Sequence, residues 1–175
     1  MEPSTQRYKH HYILGMVDAM DLTLSKAGDH TVRAAIALAE AWDKGAYVTT
    51  EDVASQMDLP RSYTPQILGM LARAGLAESR AGRGGGYRLA RSPARISMLE
   101  VVEAAEGQLG TSRCPLAGGV CRRDDACAVH GTWARATDAV RAALRRSSLL
   151  QVAKEDLALG VGERRRLEHR RPPGV

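Results

Sequence analysis

The stretch EDVASQMDLPRSYTPQILGMLARAGLAESRAGRGGGYRLAR, from Glu51 to Arg91, constrains the fold more than any other part of the chain. Thr49 or Thr50 precedes a short helix in which Val53, Ala54 and Met57 share one face and acidic residues occupy the first turn. Asp58, Leu59 and Pro60 interrupt it. Tyr63, Ile67, Leu68 and Leu71 then restore helical spacing until Gly75 supplies a C-terminal cap. LAESR and YRLAR read as two short strands joined by the glycine-rich AGRGGG. Two helices a few residues apart, followed by a two-stranded ribbon, predict a helix-turn-helix with a wing.

Helices are predicted on both sides of this unit. DHTVRAAIALAEAW places Val32, Ala35, Ile36 and Ala39 on one face of a core helix that opens at Asp29, a residue suited to N-capping. ISMLEVVEAAEG does the same through Ile96, Leu99, Val102 and Ala105, ending at Gly107. Further on, Trp133, Ala136, Val140, Ala143 and Leu144 recur at three and four residues with arginines opposite, and LLQVA prolongs or follows that helix. The expected fold is mainly α with a small two-stranded β wing: a winged helix-turn-helix plus a long C-terminal dimerisation helix.

With 175 residues, one domain with a real core is expected, and no apolar run reaches membrane-spanning length. The N-terminal stretch lacks the apolar core and cleavage site of a secretory signal, so the chain is expected in the cytoplasm, away from the membrane. The net charge of +5 calls for an anionic partner, although part of the excess sits in the tail ERRRLEHRRPPGV. No P-loop, dinucleotide fingerprint or nucleophile elbow is present, and no acid-base set is organised for catalysis; an enzyme is not expected.

The helix-turn-helix supplies a reading element instead. A recognition helix presents its first turns to base edges in the major groove, and here those turns hold Arg61, Ser62, Tyr63, Thr64 and Gln66. Arg80, Arg83 and Arg88 flank the flexible glycines of the wing, within reach of phosphate or the adjacent minor groove. Double-stranded DNA is therefore the expected partner.

All three cysteines, Cys114, Cys121 and Cys127, fall within CPLAGGVCRRDDACAVH. An odd count in a reducing compartment argues against a disulfide framework. The spacing suits a loop wrapped around a cofactor, with Arg122 and Arg123 available to offset the charge of a thiolate-bound cluster. Structural zinc favours closer pairs, yet a zinc-stabilised winged-helix protein with no sensing role is the alternative reading.

Taken together, MDLT, SYTPQILGMLARAGLAESRAGRGGGYRLAR, ISMLEVVEAAEG and the three-cysteine loop resemble, in the same order, the bacterial winged-helix transcription regulators of the IscR and NsrR kind. The resemblance runs from Met20 to Asp156. It implies a homodimer carrying an iron-sulfur cluster on each subunit, whose state controls binding to promoter DNA and which senses nitric oxide, iron supply or redox status. It implies ligation by Cys114, Cys121 and Cys127, with a fourth ligand either from Asp29, which NsrR-like members offer to the partner subunit's cluster, or from His130, as in IscR-like ones. The likeness of KAGDHTVRAA to the NsrR segment favours Asp29, a 4Fe-4S cluster and nitric oxide as effector; His130 goes with 2Fe-2S. Pro65 and the longer first cysteine interval depart from the pattern. The expected organisation is a dispensable extension over 1–19 with Met20 as initiator, a DNA-binding domain over 20–107, a cluster loop over 108–130, a dimerisation region over 131–156 and a mobile basic tail over 157–175.

Overall fold

The computed structural model describes residues 22–110 and 128–159. The first helix, α1 (Lys26–Glu40), is capped by Ser25, whose Oγ accepts from the Gly28 N–H at 3.1 Å. Asp29 therefore does not open the helix, as its capping chemistry suggests; it lies one turn inside, where a carboxylate still favours the positive end of the helix dipole. Nor is α1 buried on one stripe only. Ala34, Ala35, Ile36, Ala37, Leu38 and Ala39 are all buried, because small alanines let neighbours approach on every side. A 3-10 turn (Trp42–Lys44) and Gly45 at φ +61° end it.

Helix α2 (Thr50–Met57) is capped by Thr49 and buries Val53, Ala54 and Met57; Asp58 closes it in the left-handed conformation. Helix α3 (Thr64–Arg73) follows, with Pro65 in the first turn, where its missing N–H costs nothing. It buries Ile67, Leu68 and Leu71, and Gly75 at φ +70° turns the chain into the wing. Strands β1 (Ala77–Arg80) and β2 (Gly86–Leu89) pair antiparallel, Ala77 opposite Leu89 and Arg80 opposite Gly86. Val48 adds an isolated antiparallel bridge to β2, exchanging both backbone hydrogen bonds with Tyr87 at 2.8 Å.

Helix α4 (Met98–Glu106) starts with a capping box between Ser97 and Glu100, a signal present in the sequence as S-x-x-E, and ends at Gly107. Helix α5 (His130–Arg146) is followed by α6 (Leu149–Ala158), so LLQVA begins a separate helix capped by Ser148. Backbone bonds from Leu149 N to Ile96 O (2.8 Å) and from Met98 N to Ser147 O (2.9 Å) pin the α5–α6 corner to the body. Leu149 is fully buried in the core that α1, α3 and α4 share, whereas α5 has no buried residue. Among the described residues, no helix is long and apolar enough to cross a membrane.

Candidate nucleic-acid interface and cluster segment

The turn before α3 and its first residues form the exposed end of the helix-turn-helix. Arg61, Ser62, Pro65 and Gln66 are exposed, and Arg61 reaches Glu51 of α2 at 2.6 Å. Both partners of that ion pair are largely solvated, so it is easily exchanged for another anion. Tyr63 is half-buried, its ring edge-on to His30 of α1 with centroids 6.0 Å apart. Thr64, expected to face a groove, is 1% exposed. Its hydroxyl donates to Pro60 O at 2.9 Å, tying down the turn; the helical rotation that exposes Gln66 points Thr64 inward, which corrects its place among the base readers.

The wing sets its cations differently. Arg83 stands exposed at the tip, with no ion pair among the described residues. Arg80 bends back to donate to Gly84 O, and Arg88 pairs with Glu78 across the strands. That hydrogen bond raises the already high pKa of Arg88, so it is a permanent cation. Both guanidiniums also lie over the ring of Tyr47, at 4.2 Å for Arg80 and 4.6 Å for Arg88. Tyr47 is not among the residues the sequence analysis singles out; an aromatic just ahead of the strand-bridging Val48 is its local signal.

The glycines hold this geometry by necessity. A Cβ on Gly86, which has φ +137°, would sit 2.2 Å from Val48 O, and one on Gly85 would sit 2.2 Å from Arg80 O. Only glycine lets the wing turn close while its base rests on the segment leading into α2.

A helix-turn-helix and a wing presenting exposed cations on one body can be compared with known proteins. The Rrf2 family, described as an iron-dependent transcriptional regulator, matches residues 24–155. The chain belongs to the Rrf2 family. Its relatives include the HTH-type transcriptional regulator IscR of Xenorhabdus nematophila, 30% identical over 87% of this chain and 92% of that protein. IscR of Cronobacter sakazakii is 28% identical over 86% and 92%. Among solved structures, CymR, the global cysteine regulator of B. subtilis, superposes with a TM-score of 0.64 at 27% identity, covering 77% of this chain and 98% of that one. T. potens IscR shares the fold, with a TM-score of 0.63 at 24% identity over 81% and 93%. This Rrf2 chain is thus a winged-helix transcription regulator and not an enzyme.

Cys114, Cys121 and Cys127 of this Rrf2 protein lie outside the described residues. Among those described, no group of three or more His, Cys, Asp or Glu side chains is gathered for a metal. The two ends of the cysteine segment are nevertheless placed. At its start, Leu109 N donates to Glu103 Oε1 at 3.1 Å, and Arg141 of α5 donates to Glu103 at 2.7 Å and to Leu109 O. This clamp joins α4 to α5 across the segment. At its end, His130 is the half-buried first residue of α5. Asp29 is half-exposed and paired with Arg33 at 3.0 Å. Its helix turn lies against the end of α4, where Ser25 N donates to Glu106 Oε1 at 2.8 Å. By its chemistry the donor set fits an iron-sulfur cluster: three soft thiolates from one segment of the sequence, with an oxygen donor in Asp29 or an imidazole in His130.

Proposed function

We propose that the chain is a promoter-binding repressor, acting as a homodimer, whose affinity for its operator is set by an iron-sulfur cluster held by Cys114, Cys121 and Cys127 with Asp29 as fourth ligand. The observation that supports this reading is how the residue ahead of the cysteine segment is held. Leu109 is bound to Glu103 of α4 and to Arg141 of α5, and α4 packs in the same core as α1 and recognition helix α3.

When bound, the cluster supplies reactivity toward nitric oxide or oxygen and a rigid crosslink among its ligands. The chain's own residues do the rest. Arg61, Ser62, Tyr63 and Gln66 present donors and acceptors to base edges at the start of α3, and Arg80, Arg83 and Arg88 hold the backbone from the wing. Asp29 must leave Arg33 to serve as a ligand, so ligation by Asp29 changes the charge balance of the first turns of α1. The half-covered apolar residues Trp133 and Val140 of α5 supply the dimer seam, while Leu144 packs on the chain's own core.

The test is anaerobic purification, with absorbance and native mass spectrometry, followed by operator binding before and after nitric oxide. A brown protein containing iron and sulfide is expected, with operator affinity changing about 5- to 150-fold on cluster loss or on replacement of any cysteine by serine. A colourless zinc protein, or equal affinity of loaded and cluster-free forms, overturns the sensing role. Asp29→Ala is expected to alter cluster absorbance and nitrosylation rate; if His130→Ala alone does so, His130 replaces Asp29 and a 2Fe-2S cluster replaces 4Fe-4S.

A further inference from the structure

We propose that Tyr47 is a positioning residue for DNA binding: its ring holds the guanidiniums of Arg80 and Arg88 in a fixed pose from which both reach phosphate. The proposal rests on the DNA-binding reading above and adds to it a residue outside both the recognition helix and the wing strands.

Three observations meet at Tyr47. Both guanidinium carbons lie within 4.6 Å of its ring centroid, well inside cation–π range. The next residue, Val48, is hydrogen-bonded through both backbone groups to Tyr87, and Thr49 after it caps α2. Tyr47 therefore joins the wing to the helix-turn-helix at its hinge. Finally, each guanidinium keeps N–H groups to spare: Arg80 spends Nη2 on Gly84 O, and Arg88 spends Nε on Glu78. An arginine stacked by its face still donates from its edge, which is the geometry that phosphate requires.

Without the ring, two long side chains at an exposed site sample many rotamers and must be ordered on binding. With it, much of that ordering is complete before DNA arrives. Glu78 acts against the arrangement by neutralising part of the charge on Arg88, so Arg80 carries the larger share of the effect.

The experiment measures binding of the anaerobically purified full chain to a fluorescein-labelled random-sequence duplex over a range of salt concentrations. Tyr47→Phe, which keeps the ring, should match the unaltered protein. Tyr47→Leu should weaken binding about two- to fivefold for each guanidinium released, and the salt slope should become shallower by up to about 0.9 for each phosphate that is no longer neutralised. In an Arg80→Ala, Arg88→Ala background, Tyr47→Leu should have no further effect. Arg80→Lys, which keeps the charge but not the planar guanidinium, should weaken binding in the same direction and carries the test should Tyr47→Leu fail to fold. Unchanged affinity and slope in Tyr47→Leu would overturn the proposal, and tighter binding would show that the ring withholds the arginines from DNA. If the unaltered chain binds no duplex, the DNA-binding reading itself fails, a result distinct from both.

Discussion

Helices α1 and α5 carry the same kind of sequence pattern and end in opposite situations. In α1 the run Ala34–Ala39 is buried on all sides, while in α5, longer and just as periodic, no residue is buried and Trp133, Val140 and Leu144 are only half-covered. Periodicity states that a helix has a face to dry; it does not state what dries it. For α1 the partners are within the chain, since α2, α3, α4 and α6 all pack on it through small side chains. For α5 the principal neighbour is α4, reached through the polar clamp of Arg141 on Glu103. Leu144 also packs on the chain's own core, which leaves Trp133 and Val140 as the residues the proposed homodimer would cover.

The contrast breaks most directly at Leu38, 1% exposed in the middle of α1. Leu38→Ala should cost about 2–5 kcal/mol in denaturant titration, the range for a cavity in a well-packed core. If it costs no more than a surface change, α1 is not the centre of the fold.

On α5 the corresponding change should act on association. Val140→Asp places an unpaired charge in the proposed seam and should weaken dimerisation at least about a hundredfold by analytical ultracentrifugation. A variant that stays dimeric would remove α5 from the interface.

Two glycines sharpen the same comparison because their substitutions should differ in sign. Gly86→Ala, with φ +137° and a Cβ 2.2 Å from Val48 O, should cost about 1–3 kcal/mol for its conformation alone and expose the Val48–Tyr87 amides to hydrogen exchange. Gly131→Ala, in α5, meets nothing nearer than the Arg135 guanidinium at 3.8 Å and should stabilise by up to about 1 kcal/mol.

The smallest effect lies at the joint between the two regions. Burial would raise the pKa of Glu100, but hydrogen bonds from Ser97 N and Oγ and the charge of Arg91 outweigh it and hold the carboxyl below its ordinary range. A group with a lowered folded-state pKa contributes stability above its unfolded pKa and loses it as pH falls through the folded one. Acid titration of Glu100→Gln should therefore converge with the unaltered protein once pH has fallen through the lowered folded-state pKa and fall slightly short of it at neutral pH; because the pair is substantially solvated, the gap is small.

The helix-turn-helix and wing were legible because their punctuation is local. Pro60 restricts the chain at the turn, Gly75, Gly84 and Gly86 supply the positive φ that the turns around the wing require, and S-x-x-E at Ser97 marks a helix start. At the candidate interface, Arg61, Gln66, Arg80 and Arg83, singled out from the sequence, are exposed in the structure. Thr64 was misread because a hydroxyl is equally at home facing a groove and tying down a turn, and the helix rotation that decides between them comes from packing. Tyr47 was missed for a related reason: its partners, Arg80 and Arg88, are more than thirty residues away in the chain.

What the sequence determined by itself was the order of elements, the turns between them, the family and the gathering of three thiols in one segment, all of which depend on residues near one another in the chain. What only the tertiary structure decided was which faces are dry, that α6 returns to seat Leu149 beneath Ile96, that Glu103 and Arg141 clamp Leu109, and that one ring joins two arginines of the wing to the helix-turn-helix. These interactions bring together groups far apart in sequence, and their partners are chosen by shape and burial after the helices have formed, which no local pattern encodes.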